Sequence, residues 1–194
     1  MADTKISAMP AAATLTGAEL VPLVQSGANV QSTLSNIKTF VNKGYGAWHS
    51  SVTQTGSITA GTAMTYNVQD VSDSVTLVSG SRITVPYTGV YNLQFSSQFQ
   101  NTDNAQNDVT IWVRVNGLDV ANSASQITVP SRKNTSIYGF ALPAWNFLIN
   151  LNAGDYVELY WLVDSTLVTM PAIAASTTPA YPAIPSVIVT MTQV

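Results

Sequence analysis

Cysteine is absent from this 194-residue sequence, and histidine occurs once, at His49. The absence of cysteine excludes disulfides, thiolate chemistry and cysteine-ligated zinc together. A Ser-His-Asp triad or a histidine-based metal site needs partner groups in a recognisable arrangement, and the sequence around His49 offers none. We therefore expect a structural role for His49, no cofactor, and a protein that is not an enzyme.

Charge is also scarce, because only 9% of the residues are charged, against roughly 25% in an ordinary soluble domain. Seven Lys and Arg residues and a net charge of -3 leave no basic stripe for nucleic acid and no cationic face for a membrane. A neutral polar surface packs against neighbours with little desolvation cost. The composition favours a subunit of an assembly, with a monomeric uncharged β sandwich as the alternative.

Long apolar runs are missing as well, since a membrane helix needs about 20 apolar residues and no stretch comes near that length. The first residues lack the positive region and apolar run of a signal peptide. We therefore expect synthesis in a cytoplasm without export.

The most informative stretch that is present runs from residue 83 to residue 99. Within it, alternate residues are apolar or small and would share one face of a strand: Tyr91, Leu93, Phe95, Ser97 and Phe99. This period of two predicts a half-buried antiparallel strand. Pro86 predicts the end of the preceding strand, and Gly89 permits the turn between the two.

Similar short strands are predicted through most of the chain after residue 45. Their ranges are 48–54, 64–68, 74–78, 82–85, 90–100, 109–115, 118–121, 137–142, 156–163 and 187–194. Asn116-Gly117 predicts a type I′ hairpin turn, and Gly154 predicts another turn before a strand that is apolar on both faces. The sequence thus predicts an all-β antiparallel jelly-roll sandwich over residues 46–194.

Residues 1–45 differ in composition from the rest of the chain, and their pattern predicts a short N-terminal arm with one small helix. Ser32 or Thr33 would cap the start of that helix, and Gly44 would end it. The stretch 19–24 contains Pro22, which suits an edge strand or a docking arm. So short a helix must pack on something. The predicted docking residues are Leu20, Val21, Leu23, Val24, Leu34, Ile37 and Val41.

Two further regions supply candidate partner contacts. Trp112 and Arg114 lie two residues apart on the outward face of a strand, where they would form an interface hot spot or stack on each other as a cation–π pair. Residues 170–185 contain four prolines and no charge. We predict that Ile173, Tyr181 and Ile184 there contact a partner, with a loop folded over the domain's own core as the alternative.

Carboxylates offer weaker candidates for chemistry. Asp70 with Asp73, and Asp103 with Asp108, lie in polar loops whose oxygens suit Ca²⁺, but the alternating spacing of a calcium loop is absent, which favours solvated turn residues. Asp155, Glu158 and Asp164 are near enough in sequence for acid–base work, yet no cleft motif accompanies them.

Three N-terminal stretches resemble a module found on tailed-bacteriophage virion proteins: KISAMP at 5–10, LTGAELVPLVQ at 15–25 and TLSNI at 33–37. The stretches IWVRVNGLDV at 111–120, NAGDYVEL at 152–159 and PAIPSVIVT at 182–190 are similar to the carboxy-terminal jelly roll of phage structural proteins. The order Pro86, Gly89, Tyr91 also resembles the jelly rolls of complement globular heads and tumour-necrosis-factor-like proteins, which generally work as trimers.

These resemblances imply a homotrimeric virion protein, a short fibre, spike or decoration protein, that docks on other capsid or tail proteins through its N-terminus. They imply a location in the virion, after assembly in the host cytoplasm. The alternative function is a module of the adsorption apparatus that recognises a glycan or protein on the host surface. A hydrolase is a third and poorly supported reading.

Overall fold

The computed structural model describes residues 13–194, so the first stretch of the phage resemblance, residues 5–10, lies outside the described residues. The chain divides into two compact units, Met1–Asn42 and Lys43–Val194. Within the described part of the chain, no helix has the length and hydrophobicity to cross a membrane.

The first unit is a β-hairpin followed directly by a helix. Strand β1 (Leu20–Gln25) pairs antiparallel with β2 (Ala28–Thr33), and α1 (Leu34–Val41) follows. Ser26 and Gly27 form the two-residue turn with φ angles of 51° and 79°, the left-handed values of a type I′ turn. From the sequence, β1 was predicted as a lone extended segment, and neither the turn nor β2 was predicted.

The helix begins where the sequence predicts and ends earlier. The Thr33 hydroxyl accepts a hydrogen bond from the backbone amide of Asn36 at 3.2 Å and caps the first turn. The helix ends at Val41 with Asn42 as its C-cap, so the prediction that Gly44 ends it is wrong. Gly44 is buried in the second unit, where a Cβ atom would lie 3.1 Å from the Val75 side chain.

The second unit is built almost entirely of strands. In chain order they are β3 (Tyr45–Ser50), β4 (Gln54–Thr55), β5 (Thr62–Ala63), β6 (Val68–Asp73), β7 (Thr76–Val78), β8 (Arg82–Thr84), β9 (Gly89–Ser97), β10 (Phe99–Asn101), β11 (Asn107–Val115), β12 (Leu118–Asp119), β13 (Ser125–Val129), β14 (Gly139–Ala141), β15 (Ala144–Leu151), β16 (Tyr156–Val163), β17 (Val168–Met170), β18 (Ser176–Thr177), β19 (Ala180–Tyr181) and β20 (Val187–Gln193).

Two main sheets enclose the core. One has five strands in the order β15-β9-β20-β3-β6, and the other runs β12-β11-β16-β8-β7 with β13 beside β11 and β5 beside β16. A further sheet, β14-β10-β17-β4, and the small hairpin β18-β19 complete the unit, with every strand pair antiparallel. In the two main sheets, strands that are far apart in the chain lie side by side, as the crossover connections of a jelly-roll sandwich require. The predicted fold class is confirmed.

The core contains the face that the sequence predicts. Tyr91, Leu93 and Phe95 are buried, and the polar residues between them point outward. The largest fully buried side chains of the unit include Trp48, Trp161, Tyr91, Phe99, Met64, Ile83 and Leu93. This apolar core accounts for the stability of a cysteine-free domain.

The predicted strand 90–100 is divided between two sheets. Ser97 ends β9 in the five-stranded sheet, Gln98 donates its backbone N–H to the Ser186 carbonyl at 2.9 Å, and Phe99 begins β10 in another sheet. The predicted strand 64–68 is also wrong for Met64 and Tyr66, which are buried outside any strand. Strands β5, β13, β15, β17, β18 and β19 were missed, and so was all of β6 except Val68.

Candidate interaction surfaces

The hairpin–helix unit exposes apolar side chains and buries none. Every described residue from 13 to 42 whose side chain is placed is exposed or half-buried. The exposed large apolar residues are Leu15, Leu20, Leu23, Val24, Val30, Phe40 and Val41. A unit of this size without a core cannot gain enough from burial to be stable by itself. Its apolar side chains therefore need a partner surface.

A groove between the hairpin and the helix holds part of the predicted docking set. It encloses about 620 Å³ and is lined by Leu23, Val24, Gln25, Val30, Gln31, Ser32, Asn36, Ile37, Phe40 and Val41. Leu23, Val24, Ile37 and Val41 are thus brought together as lining residues. The other three predicted docking residues, Leu20, Val21 and Leu34, are outside this lining.

The other two apolar lining residues, Val30 and Phe40, were not predicted from the sequence. Phe40 is 90% exposed, the most exposed large apolar side chain of this unit. It follows Ile37 by three residues, which places the two on one helix face, so the helical spacing could have identified it. Val30 was missed because its strand was missed.

Polar contacts order the segment before β1. The Glu19 carboxylate accepts hydrogen bonds from the Thr16 amide at 2.7 Å, the Thr16 hydroxyl at 2.8 Å and the Gly17 amide at 2.7 Å. These bonds, those from Thr16 foremost, favour the ionised carboxylate and lower the pKa of Glu19 to about 2. The Glu19 carbonyl also accepts the Leu34 amide at 3.0 Å, which joins this turn to the start of the helix.

Trp112 and Arg114 lie in a polar–aromatic cluster on the outer face of the sheet that contains β11 and β16. Trp112 Nε1 donates to Asp119 Oδ1 at 2.7 Å, and Arg114 Nε lies 3.0 Å from the same oxygen. The Arg114 guanidinium lies 4.4 Å from the ring centre of Tyr160. The cation–π partner of Arg114 is therefore Tyr160 rather than Trp112. A partner contact at this cluster remains a prediction.

The proline-rich segment forms a hairpin, although its four prolines favour a loop without strand pairing. Ile173 and Ile184 exchange two backbone hydrogen bonds, of 2.9 and 2.8 Å, at its base. Beyond them β18 pairs with β19, which carries the exposed Tyr181. Ile173 and Ile184 also line a pocket of about 300 Å³ that includes His49. The three predicted contact residues thus divide between the base and the tip of the hairpin.

The outer surface of the five-stranded sheet is almost free of charge. Strands β3, β9, β15 and β20 contain no Lys, Arg, Asp or Glu. We call this surface the neutral face, and its outward residues include Ala47, His49, Asn92, Gln94, Ser96, Ala144, Asn146, Leu148, Ile188 and Thr190. A depression of about 410 Å³ lies on it, around Ile188. The opposite sheet carries Arg114, Asp108 and Arg82 on its outward side.

The candidate carboxylates bond to groups of their own loops and strands. The Asn107 amide and the backbone amides of residues 104 and 105 bond to Asp103 and lower its pKa. Ser81 Oγ donates to the buried Glu158 at 2.7 Å. The Asp70 carboxylate lies 2.8 Å from His49 Nδ1 and accepts its hydrogen in the tautomer that is protonated there. Among residues 13–194 no three His, Cys, Asp or Glu side chains are grouped to hold a metal ion.

The strand order and the separate hairpin–helix unit define an all-β jelly-roll protein with an N-terminal module. No protein-family model matches this sequence, and no curated protein matches it.

Proposed function

We propose that this protein is a structural subunit of a tailed-bacteriophage virion, a short fibre, spike or decoration protein. Residues 13–42 dock it on another capsid or tail protein, and residues 43–194 form the body of the subunit. The observation that carries the proposal is the contrast between the two units. The β domain encloses a complete core, whereas the hairpin–helix unit buries none of its described apolar side chains.

The sequence resemblance supports the same role. The stretches 15–25 and 33–37, on which the likeness to phage virion modules rests, coincide with the turn at Glu19, β1 and the start of α1. The low charge of the chain suits a protein whose surface is packed against neighbouring proteins.

We further propose a homotrimer built on the neutral face. Burying this surface removes no formal charge from water apart from two carboxylates of the edge strand β6, Asp70 and Asp73, so desolvation opposes association only weakly. The exposed Ile188 and Leu148 supply apolar area to bury. In such a trimer two different patches of this face contact each other, and the rotation between neighbouring subunits closes the ring.

Removal of residues 1–42 should abolish docking and leave the β domain folded. The truncated protein, 43–194, retains the whole buried core, because the buried apolar residues run from Trp48 to Met191. We expect the truncated protein to unfold cooperatively and to trimerise. When it is added to phage particles that lack the full-length protein, we expect it not to bind them. Occupancy is measured by sedimenting particles with added protein, with the full chain as the positive control. Equal occupancy by the truncated protein would place the docking surface on the β domain.

A charge on the neutral face should convert the trimer into a monomer. Ile188→Asp places a carboxylate at the depression, where burial would leave it unpaired, so we expect dissociation at micromolar concentration. Leu118→Asp is the matched control, because Leu118 is exposed in β12 of the other sheet. Light scattering reports the mass of each. A wild-type protein that is monomeric at micromolar concentration contradicts the trimer.

Host-glycan recognition is the second candidate, favoured by the composition of the same depression. The amide side chains of Gln94 and Asn146 line it beside the exposed Ile188, a combination of neutral hydrogen-bonding groups and apolar surface that suits a sugar. A trimer built on this face would cover the depression. The test is whether the protein, as a monomer, binds immobilised neutral oligosaccharides. Binding that Asn146→Ala abolishes would favour glycan recognition over the trimer.

A further inference from the structure

The two strands of the N-terminal hairpin present different free edges. In a hairpin with a two-residue turn, the residues that flank the turn, Gln25 and Ala28, exchange hydrogen bonds, and bonded and non-bonded pairs then alternate. The pairs Pro22 with Gln31 and Val24 with Asn29 are therefore non-bonded. Their remaining backbone N–H and C=O groups point away from the hairpin, toward its two edges.

The edge of β1 is interrupted. Pro22 lies in the middle of that edge and has no N–H to donate, a feature by which natural proteins block strand addition. The edge of β2 carries no proline, and Asn29 and Gln31 both offer an N–H and a carbonyl there. Among the described residues, no hydrogen bond reaches these backbone groups. Only β2 can take a further strand along its full length.

The groove lies beside this open edge. Gln31 belongs to both, since it directs its backbone to the edge and lines the groove. The groove lining contains no charged residue, and Phe40 and Val41 expose apolar surface along it. A charged side chain placed there would lose hydration without gaining a partner, so an occupant has to be uncharged.

We propose that docking occurs by strand addition: an extended, uncharged segment of a neighbouring virion protein pairs with β2 as a third strand. Its backbone bonds to Asn29 and Gln31, and its alternate apolar side chains enter the groove against Phe40. This inference rests on the proposed docking function and specifies its partner. It also changes the role expected for residues 20–24, which support β2 instead of adding to a neighbour's sheet.

Two variants of the full chain test separately which edge of the hairpin takes part in docking. Gln31→Pro removes an N–H that only the added strand would use, while the bonded pairs of the hairpin are untouched. We expect occupancy of particles lacking the protein to fall at least about tenfold. Pro22→Ala is the control at the other edge, because it adds an N–H to the edge of β1 without changing a groove-lining residue, and its occupancy should equal that of the wild type. Equal losses in both variants would overturn the proposal.

Hydrogen exchange on the wild-type protein tests strand addition without any substitution, so a folding defect in a variant cannot account for its result. On docking to particles, the amides of Asn29 and Gln31 should become protected, and that of Val24 should exchange as in the free protein. Unchanged exchange at Asn29 and Gln31 overturns strand addition. If the 43–194 protein fails to dock while Gln31→Pro docks normally, the docking function stands and strand addition fails. If the 43–194 protein docks, the docking function itself fails.

Discussion

Replacing Trp161 by alanine should lower the free energy of unfolding of the β domain by about 3 to 5 kcal/mol. Trp161 is 0% exposed and lies in β16, where its ring centre is 5.5 Å from that of Phe99. Gly56 packs so closely on the other side that an added Cβ would lie 2.9 Å from the indole. The neighbours are held by sheet hydrogen bonds, so they cannot collapse into the space left by the indole.

Urea unfolding followed by circular dichroism measures this loss, with Trp112→Ala as the matched control. Trp112 is half-buried on the outer face of the sheet, so its removal leaves a surface gap rather than a cavity. We expect a clearly smaller loss for Trp112→Ala. A Trp161→Ala protein with the parent's unfolding midpoint would show that β16 does not pack as described.

Adding one methyl group at Gly139 should be nearly as damaging, with a loss of about 3 kcal/mol or more. Gly139 is buried at the start of β14, and a Cβ there would lie 1.8 Å from the carbonyl oxygen of Pro130. That atom belongs to the backbone, so no rotamer change relieves the overlap. The chain after β13 and the pairing of β14 with β10 would have to shift together.

Gly154→Ala is the control for a glycine without crowding. No atom lies within 4 Å of a Cβ at Gly154, and its φ of +88° is the only obstacle to a side chain. We expect a loss of about 1 to 2 kcal/mol from that backbone conformation. If Gly139→Ala and Gly154→Ala lose equal stability in urea, the close approach of Pro130 is not what requires a glycine at position 139.

Local patterns were sufficient for several elements. Strand β16 matches its predicted range, because Tyr156–Val163 is apolar on both faces and follows a glycine turn. The turn at Asn116 and Gly117 was predicted from two residues that tolerate positive φ, and their φ angles are 51° and 79°. Helix α1 was predicted from its apolar spacing and from a cap at Ser32 or Thr33, of which Thr33 is the observed cap.

Other elements were missed because their local signals are weak. Strand β15 contains Leu148 between the inward Phe147 and Ile149, so three consecutive apolar residues hide the alternation. In the hairpin turn Ser26 takes the place of the more typical Asn or Asp, and β2 is mostly polar. Without β2, the groove could not be predicted, although four of its lining residues were.

By itself the sequence determined the class of fold, the inward face of β9 and the absence of cysteine chemistry, because these depend on residue type and on spacing along a few positions. Only the tertiary structure decided which strands become neighbours, that Arg114 stacks on Tyr160, and that β2 rather than β1 offers an open edge. The physical reason is that strand pairing joins residues far apart in the chain. Val187 pairs with both Ser50 and Ser97, and no local pattern encodes those partners.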